Sequence, residues 1–335
     1  VKTTHHNPEV EETRSIDAQK RGGLSLPEVS IGLPVYNGAR HLEEAVESLL
    51  RQTFSDFELI ISDNASTDDT GKICKALASR DERIRYVRQP RNIGAVRNFD
   101  FVAHAARGTF LKWASANDWC PPTMLEKCVD VLRRDEGTVL CYGRTCLVDG
   151  RGSEIGLYQY DLSLEHESPV ARFIELRSRM NLNNAQHGLI RLRTLRRTRL
   201  GRLYPDGDLI FMAELALYGK FRLLPEVLLY RRMDAGAATR FLSEDELSVF
   251  LDPDCGRKRF IAWRRHCDCF WSVMRSPIPW PEKLKALDFG LRSIYWDRRL
   301  LWRDILTGFR PRRYGSDARV PSAVRPRRNV QPGKG

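Results

Sequence analysis

Val29-Ser30-Ile31-Gly32-Leu33-Pro34-Val35-Tyr36-Asn37-Gly38 sets the reading of the chain, because an apolar run of strand length ends there in a Tyr-Asn-Gly turn. Directly after it, Leu42, Ala45, Val46, Leu49 and Leu50 fall on one face of a helix over residues 41–50. Phe57-Glu58-Leu59-Ile60-Ile61-Ser62 predicts a second strand, closed by the polar turn Asp63-Asn64-Ala65-Ser66-Thr67-Asp68-Asp69. A helix over residues 70–79 and a strand at Ile84-Arg85-Tyr86-Val87 follow. Strand, helix, strand, helix, strand is the rhythm of a parallel sheet with crossover helices, so the fold class is α/β.

Further along, residues 92–106 read as a helix and Thr109-Phe110-Leu111-Lys112-Trp113-Ala114 as a buried strand. That strand runs into Ser115-Ala116-Asn117-Asp118-Trp119-Cys120-Pro121-Pro122, a polar loop at a C-terminal strand end, where open α/β sheets gather their ligands. The pattern then predicts a helix over 123–133, a strand over 138–142, a less regular stretch to about 178 and a basic stretch over 191–200. An apolar helix over 209–218 and a strand over 222–230 come next. Residues 1–27 read as a flexible leader, 28–235 as the α/β domain, 236–309 as a helical C-terminal extension and 310–335 as a disordered basic tail.

The 335 residues are 42% hydrophobic and 29% charged, which excludes a disordered chain and a disulfide-stapled miniature. Lys and Arg number 55 against 43 Asp and Glu, a formal charge of +12 that favours polyanionic partners without choosing among phosphates, nucleic acid and acidic membrane. No stretch approaches the roughly 20 apolar residues that span a bilayer, and residues 1–23 are polar rather than signal-like. Eight scattered cysteines read as reduced thiols of a cytoplasmic protein. Cys255 and His266-Cys267-Asp268-Cys269 lack paired metal-ligand spacing and read as ordinary helix residues. In the extension, Leu284, Leu287, Leu291, Ile294 and Tyr295 repeat at helical spacing beside Arg292, Arg298 and Arg299. This basic amphipathic pattern fits peripheral docking at the inner membrane face, as well as a solvated face on a soluble helix.

Four motifs in order, residues 29–38, Ser48-Leu49-Leu50-Arg51-Gln52-Thr53-Phe54, residues 58–68 and Asn92-Ile93-Gly94 through Arg97-Asn98, resemble the signature of family 2 glycosyltransferases. The resemblance covers residues 28–234. It implies the GT-A fold, a nucleotide-binding α/β sandwich, and inverting transfer of a sugar from a nucleotide-diphosphate donor, a UDP-sugar being favoured. The acceptor would be a glycan or lipid-linked molecule, in cell-surface polysaccharide synthesis.

Carried onto this sequence, the resemblance gives Pro34, Tyr36, Asn37 and Asp63 to the nucleotide, with Asp63 accepting from a base N–H; the competing role is a rim aromatic for Tyr36 and helix capping for Asp63. Asn64-Ala65 replaces the commoner Asp-Gly of that turn. Arg97 would neutralise phosphate and Asn117 would bond the ribose. In place of the family's acidic motif stands Ser115-Ala116-Asn117-Asp118, where Asp118 alone keeps a charge as a ligand for Mg²⁺ or Mn²⁺. Asp234 occupies the position at which the family often has a His and is the second implied metal ligand. His187 and Gly188, in Gln186-His187-Gly188, match a position near the donor sugar. Asp208, in Asp206-Gly207-Asp208 before an apolar helix, is the expected general base, with helix N-capping its alternative or additional role, Asp206 its competitor and Glu214 structural. The thinned acidic motif keeps open a catalytically silent sugar-nucleotide-binding homologue. Nucleic-acid binding, suggested by charge alone, is not expected, because no recognition motif accompanies it.

Overall fold

The computed structural model describes residues 26–233, 244–254 and 259–308. Residues 1–25 of the leader, Asp234 and the basic tail lie outside the described residues.

Strand β1 (Val29–Val35) is flanked by β2 (Phe57–Asp63) and β4 (Phe110–Trp113), and β3 (Ile84–Arg88) lies beyond β2; all four are parallel. Every residue of β2 and β4 is buried, as is every residue of β1 except Pro34, which is why these strands read as near-continuous apolar runs. Their residues still alternate between two cores. Leu59 and Ile61 join Ile31 and Leu33 on one face, whereas Ile60 joins Leu111 and Trp113 on the other. The first face is covered by α1 (Leu42–Leu50), α2 (Thr70–Arg80) and α4 (Met124–Arg134), and the second by α3 (Ala95–Ala105) and later helices.

The second half departs from a parallel sheet. A three-residue strand, β7 (Leu189–Arg191), pairs antiparallel with both β4 and β5 (Thr138–Val148). β5 also pairs antiparallel with β6 (Glu154–Leu157) and parallel with β8 (Lys220–Arg232), so the eight strands form one mixed sheet. The irregular stretch expected to 178 instead holds the rest of β5, β6 and α5 (Pro169–Arg179). Gly143-Arg144-Thr145 interrupts the apolar run at the place where the β5–β8 register slips, which hides the continuing strand. Helix α5 starts where Ser168 accepts a hydrogen bond from Ala171 N–H at 3.2 Å and Pro169 takes the first turn.

Short α6 (Leu192–Leu195) and the long α7 (Gly207–Tyr218) complete the second face. α8 (Glu244–Leu251) follows, and the extension continues as α9 (Ile261–Arg275), α10 (Trp280–Trp296) and α11 (Arg298–Gly308). α9 packs on α7 and α10 on α5, and Val273, Ile278 and Ala286 enter the same core as Phe211 and Phe173. The helical repeat read over Leu284 to Tyr295 is α10, and Arg298 and Arg299 beside it open a second helix, the two meeting at Asp297.

Candidate active site

Three loops at the C-terminal ends of β1, β2 and β3 are tied together by their own motif residues. Asn37, at φ 51°, donates its N–H to Ser66 Oγ at 2.9 Å, while its side-chain oxygen accepts from Thr67 N–H at 2.8 Å. Asn64 donates to Asn92 Oδ1 at 2.8 Å and accepts from Ile93 N–H at 2.8 Å. Asn98 donates to Ser62 O at 2.9 Å. Asp63 is fully buried and its carboxylate accepts from Arg88 Nη1 at 2.6 Å, Tyr86 OH at 3.0 Å and Ser66 N–H at 2.8 Å. It therefore anchors this lattice, and the helix α2 N-cap position belongs to Asp69. Tyr36 projects from the lattice, 42% exposed.

The acidic loop is clamped to the end of β8. Trp119 and Tyr230 exchange backbone hydrogen bonds, and their rings stack 5.2 Å apart at 5°. Asp118 Oδ1 accepts from Arg232 N–H at 2.9 Å. Burial pushes the Asp118 carboxyl above the ordinary aspartate range, against the pull of that N–H, of Ser115 and of the Arg231 and Lys112 charges. Arg232 is consumed by structure: its guanidinium reaches Asn117 O, Gly150 O and Glu44, and it lies over the Trp119 ring. A cavity of about 390 Å³ lined by Ser48, Arg51, Trp119, Cys120, Pro121, Pro122 and Tyr230 adjoins this clamp. A second, of about 470 Å³ and lined by Arg199, Arg264, Cys267, Asp268, Trp271 and Arg275, sits on the extension away from these loops.

Loop 183–188 links the remaining groups. Lys112, 1% exposed in the middle of β4, donates Nζ to His187 O at 2.5 Å. His187 Nδ1 lies 3.3 Å from Trp113 O. A carbonyl only accepts, so Nδ1 carries the proton and Nε2 keeps a lone pair for a donor. Burial, reinforced by Arg231 and Lys112, pushes this imidazole down to about 3, so it is neutral at physiological pH. Arg231 donates to Asn184 Oδ1 at 2.6 Å. Asn183 donates to Asp208 Oδ2 at 2.9 Å, and its own Oδ1 is buried without a partner. Asp208 is exposed in the first turn of α7 and makes no capping bond, while Asp206, at φ 62°, holds the N-cap position and pairs with Arg265 at 3.0 Å. Glu214 is fully buried beside Arg202 and Ser272.

Residues 30–195 match the profile of Glycosyl transferase family 2. Those residues form a glycosyl transferase family 2 domain. Chondroitin synthase of Escherichia coli is 32% identical over 131 residues, which cover 39% of this chain and 19% of that protein. Glycosyltransferase GlyG of Streptococcus pneumoniae is 30% identical over 112 residues, covering 33% and 37%. The Bacillus subtilis glycosyltransferase EpsJ is 34% identical over 112 residues, covering 33% and 32%. The chain thus spans well under two thirds of each relative. Among solved structures, S. aureus TarS 1–349 in complex with UDP-GlcNAc superposes with a TM-score of 0.58 at 15% identity, over 80% of this chain and 72% of that one. That likeness carries the GT-A fold.

Within this family 2 framework the residues singled out from sequence divide into two groups. Pro34, Tyr36, Asn37, Asp63 and the 92–98 segment meet at one place, and Asn117, Asp118, His187 and Asp208 line the adjoining strand ends and loop. Arg97 is engaged elsewhere: its Nη1 donates to Asp252 at 2.6 Å, and Asp254 bonds Arg91. Gly188 serves packing, since a Cβ there would stand 2.7 Å from both Cys141 O and Tyr142 Cβ. Asp234 lies outside the described residues. Lys112 and Arg231 were missed, although a lone lysine inside the apolar run Phe110–Trp113 is a visible signal, because buried lysines are rare without a partner. His266 pairs with Asp297 at 3.1 Å, and no group of three or more His, Cys, Asp or Glu that could hold a metal occurs among the described residues.

Proposed function

We propose that this chain transfers a sugar from a nucleotide-diphosphate donor, most favourably a UDP-sugar, to a glycan or lipid-linked acceptor presented at the inner face of a membrane, in polysaccharide synthesis. The observation that carries the reading is a rigid, hydrogen-bonded lattice of loops at the ends of β1, β2 and β3, next to a strand, β4, whose Lys112 holds loop 183–188 and, through Asn183 of that loop, the exposed carboxylate Asp208. In this reading Tyr36 stacks on the base while Asp63 positions the loops around it.

Asp208 takes the proton of the acceptor hydroxyl as that oxygen bonds to the anomeric carbon. The carbon–oxygen bond to the diphosphate breaks, and its electron pair leaves with the nucleotide diphosphate. Attack from the face opposite the leaving group inverts the anomeric carbon in this single displacement. Lys112 and Arg231 supply fixed positive charge near Asp118, and neutral His187 accepts a hydroxyl of the donor sugar at Nε2.

Asp118 is a single carboxylate flanked by Ser115 and Asn117, which suits a Mg²⁺ or Mn²⁺ ion that draws most of its ligands from substrate phosphates and water. Asp118, with Asp234, would hold that ion, whose chemistry is to neutralise the departing diphosphate.

A thermal-shift screen of UDP-, GDP- and dTDP-sugars with and without Mn²⁺ tests the donor, because a ligand of the native state raises apparent stability. A shift with one nucleotide class is expected, and none with any class would overturn the reading. Tight donor binding without hydrolysis or transfer to any acceptor would instead select a sugar-nucleotide-binding homologue, the reading favoured by the loss of charge at Ser115 and Asn117.

A further inference from the structure

The helices that cover the core follow an ordinary pattern. On α4 the exposed residues are Glu126, Asp130, Arg133 and Arg134, all charged. On α10 and α11 the pattern is reversed, and the outward face carries the large apolar side chains. Trp280, Leu284, Leu291, Tyr295, Trp296, Trp302 and Leu306 are between 61% and 68% exposed. Spacings of four and seven residues keep all of them but Trp296 on one stripe. At the junction Asp297 N–H bonds Ser293 O and Leu301 N–H bonds Asp297 O, both at 2.9 Å, so one helix follows the other without an intervening loop.

Charge is sorted along with it. Lys285, Arg292, Arg298, Arg299 and Arg303 are exposed on the same side. The acids turn toward the body: Glu282 accepts from Ser168, Asp297 meets His266, and Asp304 accepts from Ala262 N–H. Asp288 is the one fully exposed acid of these two helices, and it is paired with Arg292 at 3.0 Å. Residues 309–335 add eight basic residues and one acidic residue to the sequence that follows. Tryptophan, tyrosine and leucine interleaved with arginine are what a helix lying in a lipid interface presents, the rings at headgroup depth and the guanidinium groups on lipid phosphates.

We propose that the outward stripe of α10 and α11 docks the protein on an anionic lipid bilayer. No helix among the described residues is long and apolar enough to cross a membrane, so the contact is made by the stripe lying along the surface. The proposal deepens the lipid-linked acceptor reading and rests on it for its use, while the binding itself is measured without any sugar substrate.

The test is co-sedimentation of the full chain with vesicles of phosphatidylcholine alone and of phosphatidylcholine with 30% phosphatidylglycerol. Binding at least tenfold stronger to the anionic vesicles, falling as salt is raised, is expected. The variant Leu291→Glu/Trp302→Glu should lose that binding at least tenfold while its nucleotide-sugar thermal shift stays unchanged. Brominated lipid in the anionic vesicles should quench the tryptophan fluorescence of the unaltered protein, a readout that does not depend on the variant folding. Equal binding by variant and parent would assign the affinity to residues 309–335 and overturn the proposal. So would absence of quenching, or a concentration-dependent dimer that the variant abolishes while neither protein binds vesicles. A failed donor screen with intact vesicle binding would sink only the transferase reading.

Discussion

The two halves of the candidate site are built on different principles. Around the nucleotide loops, Asn37, Asn64, Asn98 and Asp63 spend their side chains on neighbouring backbone and on one another, and little of them is left for a ligand. Around the transfer loops, Asp208 is exposed, Asn183 Oδ1 lacks a partner, and the cations Lys112 and Arg231 lie near the buried carboxylate of Asp118. One half is preorganised by the protein. The other keeps an exposed carboxylate and an unpaired amide oxygen for the substrate, with fixed cations placed where a departing diphosphate would need them.

The largest effect should come from the half with the fewest structural ties. Asp208→Asn is expected to lower kcat by about 10²–10⁴-fold, the usual contribution of a general base, with donor affinity nearly unchanged. Asp206→Asn, which removes only the partner of Arg265, should leave kcat within a few-fold. Steady-state kinetics on both variants checks this, and a severe loss in Asp206→Asn with Asp208→Asn spared would reverse the assignment.

In the nucleotide half the same kind of change should act on stability. Asp63→Ala strands the Arg88 and Tyr86 donors, so denaturant unfolding should show a loss of about 1.5–3 kcal/mol, the scale of hydrogen bonds to a charged group. Unchanged stability would mean that the lattice does not depend on Asp63. Tyr36→Ala should weaken donor binding by about 1–3 kcal/mol, as removal of a base-stacking ring does, and leave the fold intact.

Smaller effects sharpen the contrast further. Asn117→Asp should lower the Mn²⁺ concentration needed for half-maximal donor binding, which titration of the metal at fixed donor reads directly. With its imidazole held down to about 3, His187 binds no proton across neutral pH. Its ring resonances should therefore not titrate between pH 5.5 and 8, and a midpoint near 6.5 would place the side chain in water.

Legibility in the sequence follows the same divide. Parallel strands buried on both faces announce themselves as apolar runs, so β1, β2 and β4 and their loops could be placed to within a residue or two. β7 has three residues and takes its identity from the strands on either side, and β5 hides its second half behind Gly143 and a slipped register. Asp63 stands out in its motif, but its commitment to Arg88, 25 positions away, depends on how β3 lies beside β2. Arg97 illustrates the limit more sharply. Its partner Asp252 comes from beyond the α/β domain, 155 residues later, and no local pattern encodes that pairing.

The separation of donor binding from transfer is tested most directly by titrating one nucleotide sugar, UDP-GlcNAc first, into the unaltered protein, Tyr36→Ala and Asp208→Asn by calorimetry, with turnover measured on the same samples. The account expects equal donor affinity for the unaltered protein and Asp208→Asn, weaker binding for Tyr36→Ala, and a collapse of turnover only in Asp208→Asn at saturating donor. Donor affinity lost in Asp208→Asn and retained in Tyr36→Ala would contradict it.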